Sequence, residues 1–206
     1  IRQIDCRIKS VYITIFIRKW KNMAQSTKEK LFQSFKSLVE EKPLGKITIS
    51  DITERVGVNR HTFYYHFKDE RDLMAWGIRQ YLDRAREEAL KCGMWIDSMD
   101  MTLEKTERER SFILALFHSH LKEQFCNIIC DWSFDIFNRI VREKAKGQQI
   151  KEQDLQYIVK ILTYGLAGIV MDWLEGGMME SHTKLCEQTR LLIGDQFEGV
   201  IQKFIK

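Results

Sequence analysis

Apolar side chains recur at Leu31, Phe32, Phe35, Leu38 and Val39, the spacing of one helical face, behind Ser26, a residue suited to capping a first turn. The pattern predicts a helix from Thr27 to Glu41. "KPLGK" at 42–46, with the chain's one proline and a glycine, stops it. Thr48 and Asp51 have the spacing of a capping box for a short second helix with Ile49, Ile52 and Val56 on one face. Gly57 breaks that helix, because glycine tolerates the left-handed conformation that ends helices. Asn59 then caps a third short helix over 60–67, and Asp69 a longer fourth that runs through Leu73, Met74, Ile78, Tyr81 and Leu82 to about residue 91.

Farther on, the same periodicity predicts helices at 109–119 and 121–146, the second carrying Phe125, Ile128, Ile129, Trp132, Ile136, Ile140 and Val141 and closed by Gly147. Another is expected at 152–175, ended by "EGGM", and a last at 182–205 with Leu185, Leu192, Ile193, Phe197, Val200, Ile201 and Phe204. One proline and 11 glycines in 206 residues leave few places to turn, so the expected fold class is all-α. At 44% hydrophobic and 30% charged, the chain can bury a proper core.

The net charge of +4 changes this picture only when it is divided. Residues 1–22 alone carry +5, which leaves 27 basic against 28 acidic residues in the rest. Nucleic-acid affinity must therefore come from local clustering. Such a cluster stands at "GVNRHTFYYHFK", 57–68, where no acid occurs. On a helical wheel Phe63 and Phe67 share one face and complete a small core with Ile52, Val56 and Leu38. The opposite face presents His61 and Tyr65, flanked by Thr62, Tyr64 and His66, with Arg60 projecting from the first turn. From Arg55 to Lys68 there are three permanent positive charges and two histidines. Two short helices around Gly57, the second polar at its start, have the form of a helix-turn-helix whose second helix enters a DNA major groove. Arg donates bidentately to guanine, Thr and His bond base edges, and Tyr, His and Lys hold phosphates. The DNA-facing set is Thr48, Asn59, Arg60, His61, Thr62, Tyr64, Tyr65, His66 and Lys68, with Asn59 read first as a cap.

At this point "ITISDITERVGVNRHTFYYHFKDERDL" resembles the N-terminal DNA-binding domain of the TetR (tetracycline repressor) family of bacterial regulators, over about residues 26–75. The resemblance rests on the ordered run of Ile52, Gly57, Val58, Thr62, Phe63, Tyr64, His66, Phe67 and Leu73. It implies a three-helix DNA-binding head, a larger helical domain that takes a small effector, and a homodimer. "RSFILALFHS" and "YGLAGIVMDWLEGGM" are also similar to a subgroup related to dihydroxyacetone-kinase regulators, in which a partner protein is an alternative to a small molecule. The sequence departs from the family at His61, where a small residue is usual, and at Glu70, where a lysine is usual, so Lys68 or Arg71 becomes the expected phosphate anchor.

The implied layout is an extension at 1–22, a head at 23–75 and an effector-binding, dimerising domain at 76–206. "SVYITIFI" in the extension is too short to span a bilayer, which needs about 20 apolar residues, and no membrane association is expected. Phe112, Phe117, Trp132, Tyr164 and Met171 are the candidate effector-pocket residues. The near-continuous apolar surface of 158–174, with Gly165 and Gly168, predicts a dimer built with the last helix as a four-helix bundle. Five scattered cysteines suit free thiols in a cytoplasm. Cys126 and Cys130 beside His118 and His120 lack the tighter ligand spacing of structural zinc sites, so no metal is expected. No catalytic constellation or phosphate loop appears, and neither enzyme activity nor a cofactor is expected. Two alternatives remain at this stage: a helical module that binds a protein instead of DNA, and a metalloprotein using His118, Cys126 and Cys130.

Overall fold

The computed structural model describes residues 26–92 and 95–194, with side chains described outside 86–98 and 193–194. The expectations for 1–22 and for the end of the last helix lie outside these residues. Among the described residues the chain is nine α-helices without a strand: α1 (Thr27–Glu41), α2 (Ile49–Val56), α3 (Arg60–His66), α4 (Glu70–Cys92), α5 (Trp95–Arg108), α6 (Arg110–Phe117), α7 (Lys122–Lys144), α8 (Glu152–Glu175) and α9 (His182–Thr189).

The caps explain the boundaries. The Glu29 amide donates to Ser26 Oγ at 3.2 Å and starts α1. The Thr48–Asp51 capping box is closed in both directions, and α2 ends on Gly57 in the left-handed region at φ 75°. The Thr62 amide donates to Asn59 Oδ1 at 2.8 Å, and the Asp72 amide to Asp69 Oδ1 at 2.9 Å, which set the starts of α3 and α4. A single 3₁₀ turn, Leu44–Lys46, fills the predicted break.

Helices α1 to α3 form the head, held to the body by α4, which packs on α1 in the head and on α5 and α7 below it. The expected domain boundary near 75/76 therefore falls inside α4, a continuous helix. One hydrophobic core runs from Leu31, Phe35, Ile52 and Phe63 in the head through Leu73 and Ile78 to Phe117, Phe125 and Leu174 in the body. A second, smaller core clamps α7 to α8 around Phe137, Val141, Val159 and Leu162.

One helix, α5, has no counterpart among the expected helices. Its cavity-facing positions Met99, Thr102, Leu103 and Thr106 have helical spacing, with threonines interleaved among the apolar residues, and it packs against α4 and α9. The last helix also departs from expectation. Here α9 gives way after Thr189 to a π-helical turn at Arg190–Gly194, beyond which nothing is described.

Candidate nucleic-acid interface and internal cavity

Phe63 and Phe67 are 0% and 3% exposed, locked against Ile52 and Leu38, while Val56 packs half-buried at the edge. That burial fixes the rotation of α3 and turns Tyr64 and Tyr65 outward, at 57% and 80% exposed. Arg60, His61 and Lys68 are exposed on the same surface, and His66 is half-buried edge-on to Tyr65, with ring centroids 4.9 Å apart. The Ser34 hydroxyl, buried between α1 and α2, donates to the Ile52 carbonyl at 2.9 Å and sets the depth of α2.

Three members of the expected DNA-facing set have structural duties. Thr48 is exposed, but its hydroxyl donates to Asp51 Oδ2 at 2.7 Å. Asn59 Oδ1 accepts from both the amide and the hydroxyl of Thr62. These three side chains spend hydrogen-bonding capacity on helix starts, whereas Arg60, His61, Tyr64, Tyr65 and Lys68 point outward without a partner of that kind.

The charge count is also smaller than expected. Arg55 forms a two-pronged ion pair with Glu41, tying α2 to α1. The guanidinium's hydrogen bond lowers the Glu41 carboxyl pKa from its ordinary value. Two permanent charges, Arg60 and Lys68, remain from the expected three, and Lys46 and Arg71 of the head and the α4 start are exposed as well. Asp51 is held well below the usual carboxylate range, first by the hydrogen bond from Lys42 and then by those from Thr48. Its negative charge is thereby matched by a lysine. Glu70, which stands where the family usually has a lysine, faces the body: His120 Nε2 lies 2.8 Å from its carboxylate. The α4 start thus contributes a head-to-body contact instead of a phosphate anchor.

Between α4, α5, α7 and α8 lies a cavity of about 570 Å³, within the range of small-molecule sites. Its wall is chiefly aliphatic, with Ile78, Leu82, Leu103, Ile129 and Ile136 among its lining. Of the five residues expected there only Trp132 lines it, with its indole N–H donating to the Leu82 carbonyl at 3.1 Å. The other four do not, and for separate reasons. Phe112 packs edge-on to Phe32 and Phe35 of the head. Phe117 is core beneath Lys122, whose ammonium sits 4.2 Å from the ring centroid. Met171 Sδ lies 3.5 Å from Cys126 Sγ, and Tyr164 is 65% exposed on the outer face of α8. Ile129, Ile136 and Ile140 already stood out in the sequence as one apolar face of α7, but periodicity does not distinguish a cavity wall from packed core.

Tyr157, Ile161, Tyr164, Gly165, Gly168 and Ile169 share the outer face of α8, all exposed, and a side chain added at either glycine meets nothing within 4 Å. Leu191 and Leu192 are 78% and 73% exposed beyond α9. By length and composition alone α8 would cross a membrane. Its inner face, however, is committed to α7 through Ile158, Val159, Leu162 and Leu166. His118 and His120 are exposed, and among the described residues no three His, Cys, Asp or Glu side chains gather as for a metal ion. Burial raises the thiol pKa of Cys126, Cys130 and Cys186, the last to about 12.

A helix-turn-helix head joined through one continuous helix to a body with an internal cavity is the plan of a DNA-binding regulator. A family described as "Transcriptional regulator C-terminal region" matches residues 93–195, half of the chain, and "Bacterial regulatory proteins, tetR family" matches 36–75. The chain belongs to the TetR family of bacterial transcriptional regulators. Among solved structures, the dihydroxyacetone kinase operon activator DhaS is similar in fold, with a TM-score of 0.69 at 17% identity over 89% of this chain and 100% of that one. No curated protein matches the sequence.

Proposed function

We propose that this regulator binds an operator as a homodimer, that α3 reads the major groove with Arg60, His61, Tyr64 and Tyr65, and that Lys68 holds a phosphate. The observation that carries the reading is the outward, acid-free face of α3, whose rotation is set by the buried Phe63 and Phe67. The homodimer rests on the outer face of α8 and the leucines beyond α9, two helical surfaces per subunit of the kind that close a four-helix bundle. Two heads on half-sites about one helical turn apart multiply a modest single-head affinity.

An effector in the cavity acts through α4. Ile78 and Leu82 of that helix line the cavity, and Leu73 and Met74, one to two turns earlier, are core residues at the head. A ligand that shifts α4 changes the spacing of the two α3 helices, with a coupling free energy of about 1–3 kcal/mol. A small molecule is favoured over a partner protein because the cavity is there to receive one. A protein of this kind works where the DNA is, in the cytoplasm.

The test is fluorescence anisotropy against duplexes that tile the DNA adjoining the gene, at two salt concentrations, with Arg60→Ala/Tyr65→Ala as the control. Tight binding to one tile, steeply weakened by salt and reduced at least about tenfold in the double variant, is expected. Weak binding that neither salt nor the variant alters would refute DNA reading by α3 and favour a protein-interaction role for the head.

A further inference from the structure

We infer that the cavity ligand is an amphiphile with a hydrocarbon body and a single anionic head group, of the chemical class of a chain carboxylate. The inference rests on the effector reading above and specifies its ligand.

The interior excludes a polar body. Two polar groups of the wall are engaged within the protein: Trp132 Nε1–H is bonded to the Leu82 carbonyl at 3.1 Å, and the Thr106 hydroxyl donates to the Thr102 carbonyl at 2.9 Å, while the Ser133 hydroxyl is a further polar group of the lining. The Tyr81 hydroxyl approaches the same Thr102 carbonyl at 3.4 Å. A ligand hydroxyl or amide placed deep inside would lose its water and find chiefly apolar side chains of α4, α5 and α7 in exchange, a net cost. Methylenes placed there gain by leaving water. Branched aliphatics and Met99, with the rings of Phe125 and Phe137 beside them, form a largely apolar wall that suits a hydrocarbon body.

The mouth selects the head group. Only three lining residues are exposed: Arg139, Glu143 and Lys144. They fall on successive turns of α7, so they mark where the cavity meets solvent. Two are cations, and the one acid, Glu143, already lies 3.7 Å from the Lys146 ammonium outside. A carboxylate at the mouth meets the Arg139 guanidinium and stays hydrated on its outer side while the chain fills the interior. A cationic head group would meet the same guanidinium instead.

The probes are dodecanoate, dodecanol and dodecyltrimethylammonium, each below its aggregation concentration, added to the full chain with Trp fluorescence and displacement of a polarity-sensitive dye as readouts. Saturable binding of dodecanoate is expected, at least about tenfold tighter than dodecanol and tighter still than the ammonium. Arg139→Ala should erase the preference for carboxylate while the alcohol still binds. Ile136→Trp, or Ala167→Phe as a second filler, should abolish binding of all three, with folding verified by circular dichroism. Equal affinity for the three head groups would overturn the anionic assignment and leave an apolar effector site. No binding by any of them would overturn the amphiphile itself. Operator anisotropy on the same preparation shows whether the regulator reading stands independently, and a dodecanoate-dependent change in that anisotropy connects the two.

Discussion

Gly77 lies in mid-α4, where helix propensity alone makes alanine about 1 kcal/mol better. The structure predicts the opposite sign. A β-carbon at Gly77 would stand 1.9, 2.2 and 2.3 Å from three ring atoms of Phe32, far inside contact distance. That ring cannot swing away freely, because it is met edge-on by Trp76 at 6.2 Å and by Phe112 at 5.9 Å between centroids. Overpacking of this kind costs about 1–3 kcal/mol. After the propensity gain, Gly77→Ala should destabilise by up to about 2 kcal/mol, and each kcal/mol moves Tm by about 2–4 °C in a chain of this size. The decisive measurement is a double-mutant cycle in urea, at one protein concentration, followed by the fluorescence of neighbouring Trp76. In the Phe32→Ala background the same substitution should turn stabilising by about 1 kcal/mol, giving a coupling of about 1–3 kcal/mol. A gain of the full propensity term in the otherwise unaltered chain, or identical effects in both backgrounds, would refute the steric argument.

Three further outcomes are expected. Ile161→Glu with Tyr164→Glu places charges on the exposed face of α8, and sedimentation velocity should show the dimer replaced by monomer, with operator affinity falling in parallel. Asn59→Ala removes the α3 cap and should cost about 1 kcal/mol in urea unfolding, whereas Asn59→Gly should cost a few tenths. The Asp51 carboxyl is depressed in the folded state, so its contribution is present above its ordinary pKa of 3.8 and is lost as pH falls below it. The Tm gap between the natural chain and Asp51→Asn should therefore persist at pH 6 and narrow progressively below pH 3.8; a gap independent of pH would show that the Lys42–Asp51 charge pair contributes nothing.

Much of the head is local, and so it was legible. Ser26, the Thr48–Asp51 pair, Gly57, Asn59 and Asp69 act on backbone groups within a few residues of themselves, and the helices start and stop where those residues stand. The outward set on α3 followed for the same reason, although the helix ends at His66, one residue short of the expectation: Phe63 inside it and Phe67 at its extended C-cap are both buried and leave it one rotation. Tertiary structure decided what depends on distant partners. It spent Arg55 on Glu41 and turned Glu70 toward His120, so the positive field is narrower than a count of charges implies. It also placed Phe112 against the head, sent Tyr164 to the surface and made Ile129, Ile136 and Trp132 the wall of a cavity. An apolar residue at helical spacing states only that it leaves water. Whether it meets core, a cavity or a second subunit depends on how helices far apart in the chain are stacked.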